Sequence, residues 1–543
     1  FFDASKIATL DQYTTMSDGL TAGVPDGTVD QPTLAAGANL VNFLRGQRGF
    51  EGYVTNSNNV YRTRQAVLGD IVNAQPVFVR KPFAQYTDTG YADFKSDNAD
   101  RDPVVYVAAN DGMLHAFDAD PASGAELWAF IPTFSLPNLH QLANTDYPTN
   151  HHYFTDGTPV VADIFDAADA VPQWKTILVA GMNKGGTGYY AMDITDPAAP
   201  KGLWEFSDAD MGYTFGNPMV VKLIDGRWVV IVTSGLNNTD GKGYLYVLEA
   251  GTANVLYKIA TPAGSPTTPS GLNKIAGWAV GDPIIDNTVN HVYGTDILGN
   301  IWRFDVNDLP AMTPAGREAT LLATTKDAGG TPQPITTRPE LALVGPDIFV
   351  YVGTGQYLGD SDPATTQVQS IYGIKDTLAI PAVAGTPVIA NLRTTLTKQN
   401  ITQSGSGLAA VRSVEGCAVA TNGWFVDLPD TGERLNVDMK LQLGSLVAGT
   451  NVPIPSACRV GGYSWLNYFN ITNGCPVSTS DPLKKVGQRL SDSLVVGLNI
   501  IRLPTGKTVV VATTSDAKQP TLTPPFSVGD PEGRRLTWRE VIP

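Results

Sequence analysis

A β-hairpin module that returns along the chain constrains the fold more than any other feature of this sequence. Residues 104–132 read VVYVAANDGMLHAFDADPASGAELWAFIP. Three β-rich runs, 104–108, 113–117 and 126–131, are separated by Asn110-Asp111-Gly112 and by the polar stretch 118–124. Asn and Gly tolerate the positive φ of tight turns, so apolar runs broken by such residues predict antiparallel strands joined by hairpins. Three short strands in this space make most of a four-stranded sheet.

The module returns as TGYYAMDITDPAAPKGLWEF (187–206), KGYLYVLEAGTANVLYKI (242–259) and GNIWRFDVND (299–308), and more weakly as QSIYGIKD (369–376). An acidic residue closes the second run of each strong copy: Asp118, Asp193, Glu249 and Asp305. Subtracting these positions gives steps of 75, 56 and 56 residues. Each copy has a β-rich partner upstream: VVYVAAND, WKTILVAGMNKGG, RWVVIVTSGLNNTDG, HVYGTD and IFVYVGTG. Segments 423–470 and 487–514 alternate apolar and polar residues around Gly-rich turns and supply two further modules. Repetition at this period is the mark of stacked supersecondary units. The fold class read from it is all-β, a β-propeller of about seven blades with quinoprotein-like repeats.

The ring is expected to close by pairing a strand near 71–79 with the last blade near 493–514, which removes an exposed sheet edge. Trp128 and Trp204 follow the acidic turn by similar intervals. Each is expected to cover the neighbouring blade while its indole N–H finds a carbonyl. Residues 1–65 are expected to be a lead-in with one helix, the remnant of a linker to a missing N-terminal region, and the propeller is expected to occupy 66–543. The helix is placed on LAAGANLVNFLRGQ, with Leu34, Ala38, Val41 and Leu44 at helical spacing, Thr33 as N-cap and Gly46 as stop. AVLGDIVNAQPVFV (66–79) reads as a strand entering the propeller. Residues 379–415, rich in Thr, Ser, Ala and Gly, read as an insertion that decorates one face.

A net charge of −15 argues against a nucleic-acid partner, because phosphate binding needs a basic face. Such a charge more simply keeps a surface protein soluble. No apolar run has the length of a transmembrane span. The start at Phe1-Phe2-Asp3 is expected of a processed or trimmed piece.

Several stretches resemble the C-terminal propeller of the PilY family, type IV pilus biogenesis factors and tip-associated adhesins. They are VYVAANDGMLHAFDA, DGTPVVADIF (156–165), MGYTFGNPMVVKL (211–223), VYGTDILGNIWRFDV (292–306), GERLNVDMKLQLGSLV (432–447), VGGYSWLNYF (460–469) and RRLTWREVI (534–542). The resemblance implies a secreted or cell-surface protein of the bacterial pilus tip or outer membrane surface. It would work with minor pilins, prime pilus assembly, oppose retraction and touch a host or abiotic surface. It also implies a calcium loop of the form DxDxDxxxD, because alternating carboxylates surround a hard cation with oxygen. In this sequence the loop reads Asp282-Pro283-Ile284-Ile285-Asp286-Asn287-Thr288-Val289-Asn290. Asp282 and Asp286 keep the first and third ligand positions, Ile284 replaces the middle one and Asn290 the last. The expectation is weak calcium binding or none, the alternative being a plain β-turn.

The acidic pairs Asp118/Asp120, Asp208/Asp210 and Asp360/Asp362 are expected to be solvated turns. The rival reading is a dehydrogenase that holds pyrroloquinoline quinone over calcium. Such enzymes need a catalytic Asp, a calcium cradle and often adjacent cysteines, and no Cys pair here is adjacent. A purely structural surface scaffold is the other alternative. Of the histidines, His115 is interior to a strand run and His151-His152 would need a third ligand to hold a metal. No HExxH or GxSxG occurs, so the expectation is a non-enzymatic protein. The resemblance implies a Cys417–Cys458 disulfide with Cys475 left over, while sequence distance equally favours Cys458 with Cys475.

Overall fold

A computed structural model describes residues 34–54, 57–279, 281–307, 319–383, 385–454, 461–478, 481–503, 505, 507–525 and 533–535. The apolar runs and Gly/Asn turns produce seven sheets. Two compact units contain them: residues 1–220 with 248–254 and 540–543, and residues 221–247 with 255–539.

The first unit holds two complete four-stranded sheets, each a chain-ordered meander. One comprises Val77–Val79, Val104–Ala109, Met113–Asp118 and Glu126–Phe130; the other Val160–Asp166, Gln173–Gly181, Tyr189–Asp193 and Lys201–Phe206. Ala109 pairs with Met113 across the Asn110-Asp111-Gly112 turn. Gly112 has φ 90°, and a Cβ there would stand 2.2 Å from the Leu139 side chain, so the turn requires glycine on both counts. Tyr106, Leu114, Leu178, Tyr190 and Met192 build the core shared by the two sheets. Both tryptophans dock as expected. Trp128 Nε1 donates to Pro197 O at 2.8 Å and Trp204 Nε1 to Ala250 O at 2.9 Å.

The lead-in helix, α1 (Ala38–Leu44), is shorter than expected and its phase differs. Gly37, at φ 65°, breaks the run after Leu34, so Leu40, Val41, Phe43 and Leu44 are buried and Ala38 is exposed. Gly46 does end it, at φ 101°; Thr33 lies outside the described residues. Only Val77–Val79 of the 66–79 stretch is strand. The irregular part is tied down by Gly69 N donating to Asp111 Oδ2 at 2.8 Å and Asn73 N to Asp156 Oδ1 at 2.9 Å.

A third sheet comprises Met219–Lys222, Trp228–Thr233, Tyr244–Glu249 and Val255–Ala260, and a fourth Ile275–Ala279, Val289–Thr295, Asn300–Asp305 and Ala319–Thr324. Both are meanders like the first two. The recurring acidic residue ends the third strand of each of these four sheets and shapes the turn after it. Asp118 Oδ1 accepts from Asp120 N, Asp193 Oδ1 from Thr195 N and Asp305 Oδ1 from Asn307 N. In the weak fifth copy Asp376 is buried instead, and binds Arg303 Nη1 and the Tyr293 hydroxyl of the fourth sheet, each at 2.8 Å.

The fifth and sixth sheets correct the reading of 379–415 as surface decoration. Glu340–Val344, Asp347–Gly353, Ser370–Asp376 and Gly423–Asp427 form the fifth, and Thr397–Lys398 adds a parallel strand beside Gly423–Asp427. Lys440–Gln442, Ser445–Ile454, Gly461–Asn470 and Lys485–Ser491 form the sixth, extended by Val411–Val414 and Ile401–Ser404. The inserted segment therefore extends two sheets through backbone hydrogen bonds that its polar composition did not reveal. The expected closure is also not what these strands do. Val77–Val79 pairs with Val104–Ala109, whereas Val495–Arg502, Thr508–Thr514 and Thr521–Leu522 form their own three-stranded sheet. The late strand Gly533–Arg535 pairs with Glu340–Val344. No helix among the described residues is long and apolar enough to cross a membrane.

Candidate functional site

The acidic loop leads into the second strand of the fourth sheet. Asp282 turns its carboxylate back on the loop, accepting from Ile284 N at 3.0 Å, and its carbonyl accepts from Ile285 N and Asp286 N. Asp286 Oδ1 accepts from Thr288 N at 3.2 Å and from the Thr288 hydroxyl at 2.5 Å. Lys222 Nζ stands 3.3 Å from the same oxygen. Partial burial pushes the Asp286 carboxyl up, but the Thr288 hydrogen bonds and the Lys222 charge outweigh it and hold the group below the usual carboxylate value. Asn290 is already in the strand Val289–Thr295, its carbonyl accepting from Asn307 Nδ2 at 3.1 Å. Among the described residues no group of three or more His, Cys, Asp or Glu is placed to hold a metal ion. The three expected positions thus lie along the loop and the strand it enters, with an ammonium group beside Asp286 that sequence reading missed. The available signal was Lys222 itself, a charge at the end of the apolar strand Met219–Lys222.

His115 and His151 both meet carboxylates. His115 is buried, with Nδ1 2.6 Å from Glu126 Oε1 and Nε2 3.0 Å from Asp111 Oδ1. Burial disfavours its charged form, yet the two carboxylates prevail and raise it above the usual imidazole value. Asp111 in turn holds Gly69 N, so this group fixes the strap that enters the first sheet. His151 Nε2 lies 3.0 Å from both carboxylate oxygens of Asp70, and Asp70 Oδ2 also accepts from Asn110 Nδ2 at 3.0 Å. Beside these groups a cavity of about 340 Å³ is lined by Arg62, Val67, Leu68, Asp70, Asp111 and Tyr147.

Asp118, Asp120 and Asp208 cap their own turns as expected. Asp362 does not behave as a solvated turn residue. It is buried, with Oδ2 accepting from Leu358 N and Gly359 N and Oδ1 from Gln356 Nε2. It lines a second cavity, about 130 Å³, with Gln356, Gln369, Glu433 and Arg434. Gln369 Oε1 is buried there with no protein hydrogen-bond partner, and a polar cavity of this size has room for the ordered water that would satisfy it.

The disulfide joins Cys417 to Cys475, with Cα atoms 6.0 Å apart, and this corrects both expected pairings. Cys458 lies outside the described residues. Ser445 faces Asn470 at one end of the long hairpin and Ile454 faces Gly461 at the other. Cys475 follows the Asn470 end in the chain. Gln399 Nε2 donates to Ala418 O at 2.8 Å and to Asn473 O at 2.9 Å, drawing together the two loops that carry the bonded cysteines.

Comparison with known proteins agrees with this architecture. A family model described as the PilY1 beta-propeller domain matches residues 68–411. A type IV pilus biogenesis factor PilY1 homolog of Xylella fastidiosa is 32% identical over 537 residues, covering 94% of this chain and 41% of the relative. The type IV pilus biogenesis factor PilY1 of Pseudomonas aeruginosa strain PAK is 33% identical over 488 residues, covering 79% of this chain and 40% of the relative. The chain spans less than half the length of these relatives. The crystal structure of the Pseudomonas aeruginosa PilY1 C-terminal domain matches with a TM-score of 0.65 at 24% identity, covering 83% of this chain and 99% of that one. That likeness and the seven sheets show the fold, an all-β propeller of seven blades. This chain belongs to the PilY1 β-propeller family.

Proposed function

We propose that this chain is the propeller region of a non-enzymatic type IV pilus biogenesis factor at the bacterial cell surface. It primes pilus assembly together with minor pilins, opposes retraction and stands at the pilus tip, where its outer loops touch a host or abiotic surface. The observation that carries this reading is the family match across 68–411, joined to relatives named as type IV pilus biogenesis factors. Two structural features support a binding role over catalysis. The buried ionisable groups are engaged in holding turns and blades together, as at His115, Asp362 and Asp376. The loops expose large aliphatic side chains, including Val171 at 70%, Val383 at 68% and Val419 at 84%, which offer apolar contact away from the blade cores. The bonded cysteines are not neighbours in sequence, so they do not form the adjacent pair that the quinone-enzyme reading calls on.

The test is deletion of the gene in a strain with no second copy. Loss or strong reduction of surface pili and of twitching, restored by the intact gene, is expected. Normal piliation and twitching in the deletion strain would overturn the proposal.

A further inference from the structure

The loop 282–290 carries half of a calcium-binding pattern, and the structure supplies a different cation. We infer that the Lys222 ammonium takes the place of a metal ion in this loop, which is thereby closed without calcium. The inference does not depend on the pilus role, because it concerns a property of the purified chain.

The donor set comes first. A calcium ion takes about six to eight oxygen ligands. Ile284 brings none, and Asn290 brings no charge. The two remaining carboxylates are already turned inward, Asp282 onto Ile284 N and Asp286 onto Thr288 N and its hydroxyl. A metal would have to compete with these bonds for each oxygen.

Charge and position come next. Lys222 is not a surface lysine that happens to lie nearby. Its backbone N donates to Asn287 O at 2.9 Å, and the residue forms a parallel bridge with Thr288, so its main chain is stitched to the loop. Its side chain is only 12% exposed, against 48% for Asp286, and runs beside the Trp228 ring to bring Nζ 3.3 Å from Asp286 Oδ1. Asn307 completes the closure from the other side. Its Oδ1 accepts from Ile224 N at 2.9 Å, and its Nδ2 donates to Val289 O at 2.9 Å and Asn290 O at 3.1 Å. A divalent ion holds a four-carboxylate loop together by neutralising repulsion and fixing its ends. Here two carboxylates and one ammonium leave little repulsion to neutralise, and Asn307 fixes the 289–290 end. A metal ion beside Asp286 would also meet the Lys222 charge at close range in a partly desolvated place.

The experiment is calorimetric titration of the purified full chain with CaCl2 up to about 10 mM, well above the ~1 mM range of weak extracellular sites. Thermal unfolding is recorded in parallel with calcium and with EDTA. The wild type is expected to show no saturable binding and the same Tm in both. Ile284→Asp/Asn290→Asp restores the carboxylates but keeps the ammonium. Adding Lys222→Met to that pair is expected to tighten calcium binding at least about tenfold, since a like charge is removed from the site. Saturable binding by the wild type, or equal calcium affinity of the double and triple variants, overturns the inference. Should the triple variant not fold, Lys222→Met alone serves. Its Tm is expected to fall, and a Tm equal to that of the wild type overturns the inference.

Discussion

Replacing Arg412 with methionine removes a fully buried charge from the strand Val411–Val414, inside the segment whose sequence suggested decoration. The Arg412 and Glu433 side chains are both 0% exposed. Nη1 and Nη2 each lie 2.7 Å from a different oxygen of Glu433. Nη1 also meets Asn467 Oδ1 and Nε meets Gln403 Oε1, both at 2.8 Å, and the guanidinium lies 3.9 Å from the Trp465 ring centre. Methionine keeps much of the stem and supplies no donor, leaving Glu433 with only the Thr450 hydroxyl and Asp430 N. Removing one partner of a buried pair costs about 3–5 kcal/mol. Loss of a desolvated cation–π contact adds about 2 kcal/mol. A total of about 5–7 kcal/mol is comparable with the whole stability of many domains, so the variant should unfold at much lower denaturant.

Arg412→Met/Glu433→Leu removes both charges, and it is expected to recover about 2–3 kcal/mol relative to the single variant, the coupling typical of residues in one network. The assay is guanidinium unfolding followed by tryptophan fluorescence, with Trp465 against the guanidinium as a local reporter. A single variant within about 1 kcal/mol of wild type would place the pair in the range of exposed ion pairs. A double variant no more stable than the single would show that Glu433 suffers no penalty when left alone. Either result refutes the reasoning.

Trp204→Phe keeps the ring packing but deletes the bond from Nε1 to the carbonyl of buried Ala250, and should cost about 1–3 kcal/mol by leaving that acceptor unpaired; no loss in urea unfolding would mean that packing alone docks the blade. Cys417→Ser opens a link that spans 58 residues, worth about 4 kcal/mol on chain-entropy grounds, and non-reducing peptide mapping of the wild type should find Cys417 joined to Cys475. A Cys417–Cys458 peptide would contradict the pairing. His115 is raised above its ordinary value despite burial, by Asp111 and Glu126. A raised histidine contributes stability that is fully present below its unfolded pKa of about 6.5 and is lost as pH rises through the higher folded value. His115→Gln should therefore flatten the decline in stability above about pH 6.5 in urea unfolding at a series of pH values, and a profile parallel to wild type would exclude the ion pairs as its cause.

The parts of the fold legible in the sequence are those whose cause is local. Asn110-Asp111-Gly112 states a hairpin because the turn demands Gly112 at φ 90°. Asp118, Asp193 and Asp305 repeat because each caps the turn directly after its own strand. Trp128 and Trp204 follow those turns at similar intervals because each reaches a carbonyl of the turn in the next module. The helix register failed for a local reason too. The periodicity from Leu34 to Leu44 runs through Gly37, whose φ of 65° resets the phase.

What stayed hidden depends on partners far away in sequence. The stretch 379–415 is polar, yet its short strands extend two sheets, because backbone hydrogen bonds carry no compositional signature. The disulfide could not be chosen from spacing, since Cys417 and Cys475 are 58 residues apart in sequence and their loops are drawn together by Gln399. The candidate site has the same character. Asp282, Asp286 and Asn290 were legible as a degraded ligand pattern, and the group that answers the missing charge, Lys222, belongs to another sheet. A physical signal for such groups does exist in the sequence. Lys222 ends MVVK, Arg412 sits within VRSV and Arg303 within NIWRFD, each a charge in an apolar strand. A charge in such a place must meet an opposite charge or a set of hydrogen-bond acceptors, because its burial alone is too costly. Asp286, Glu433 and Asp376 are those partners. Cations within strands therefore mark where the blades of this chain are pinned, and the loop at 282–290 is one such pin.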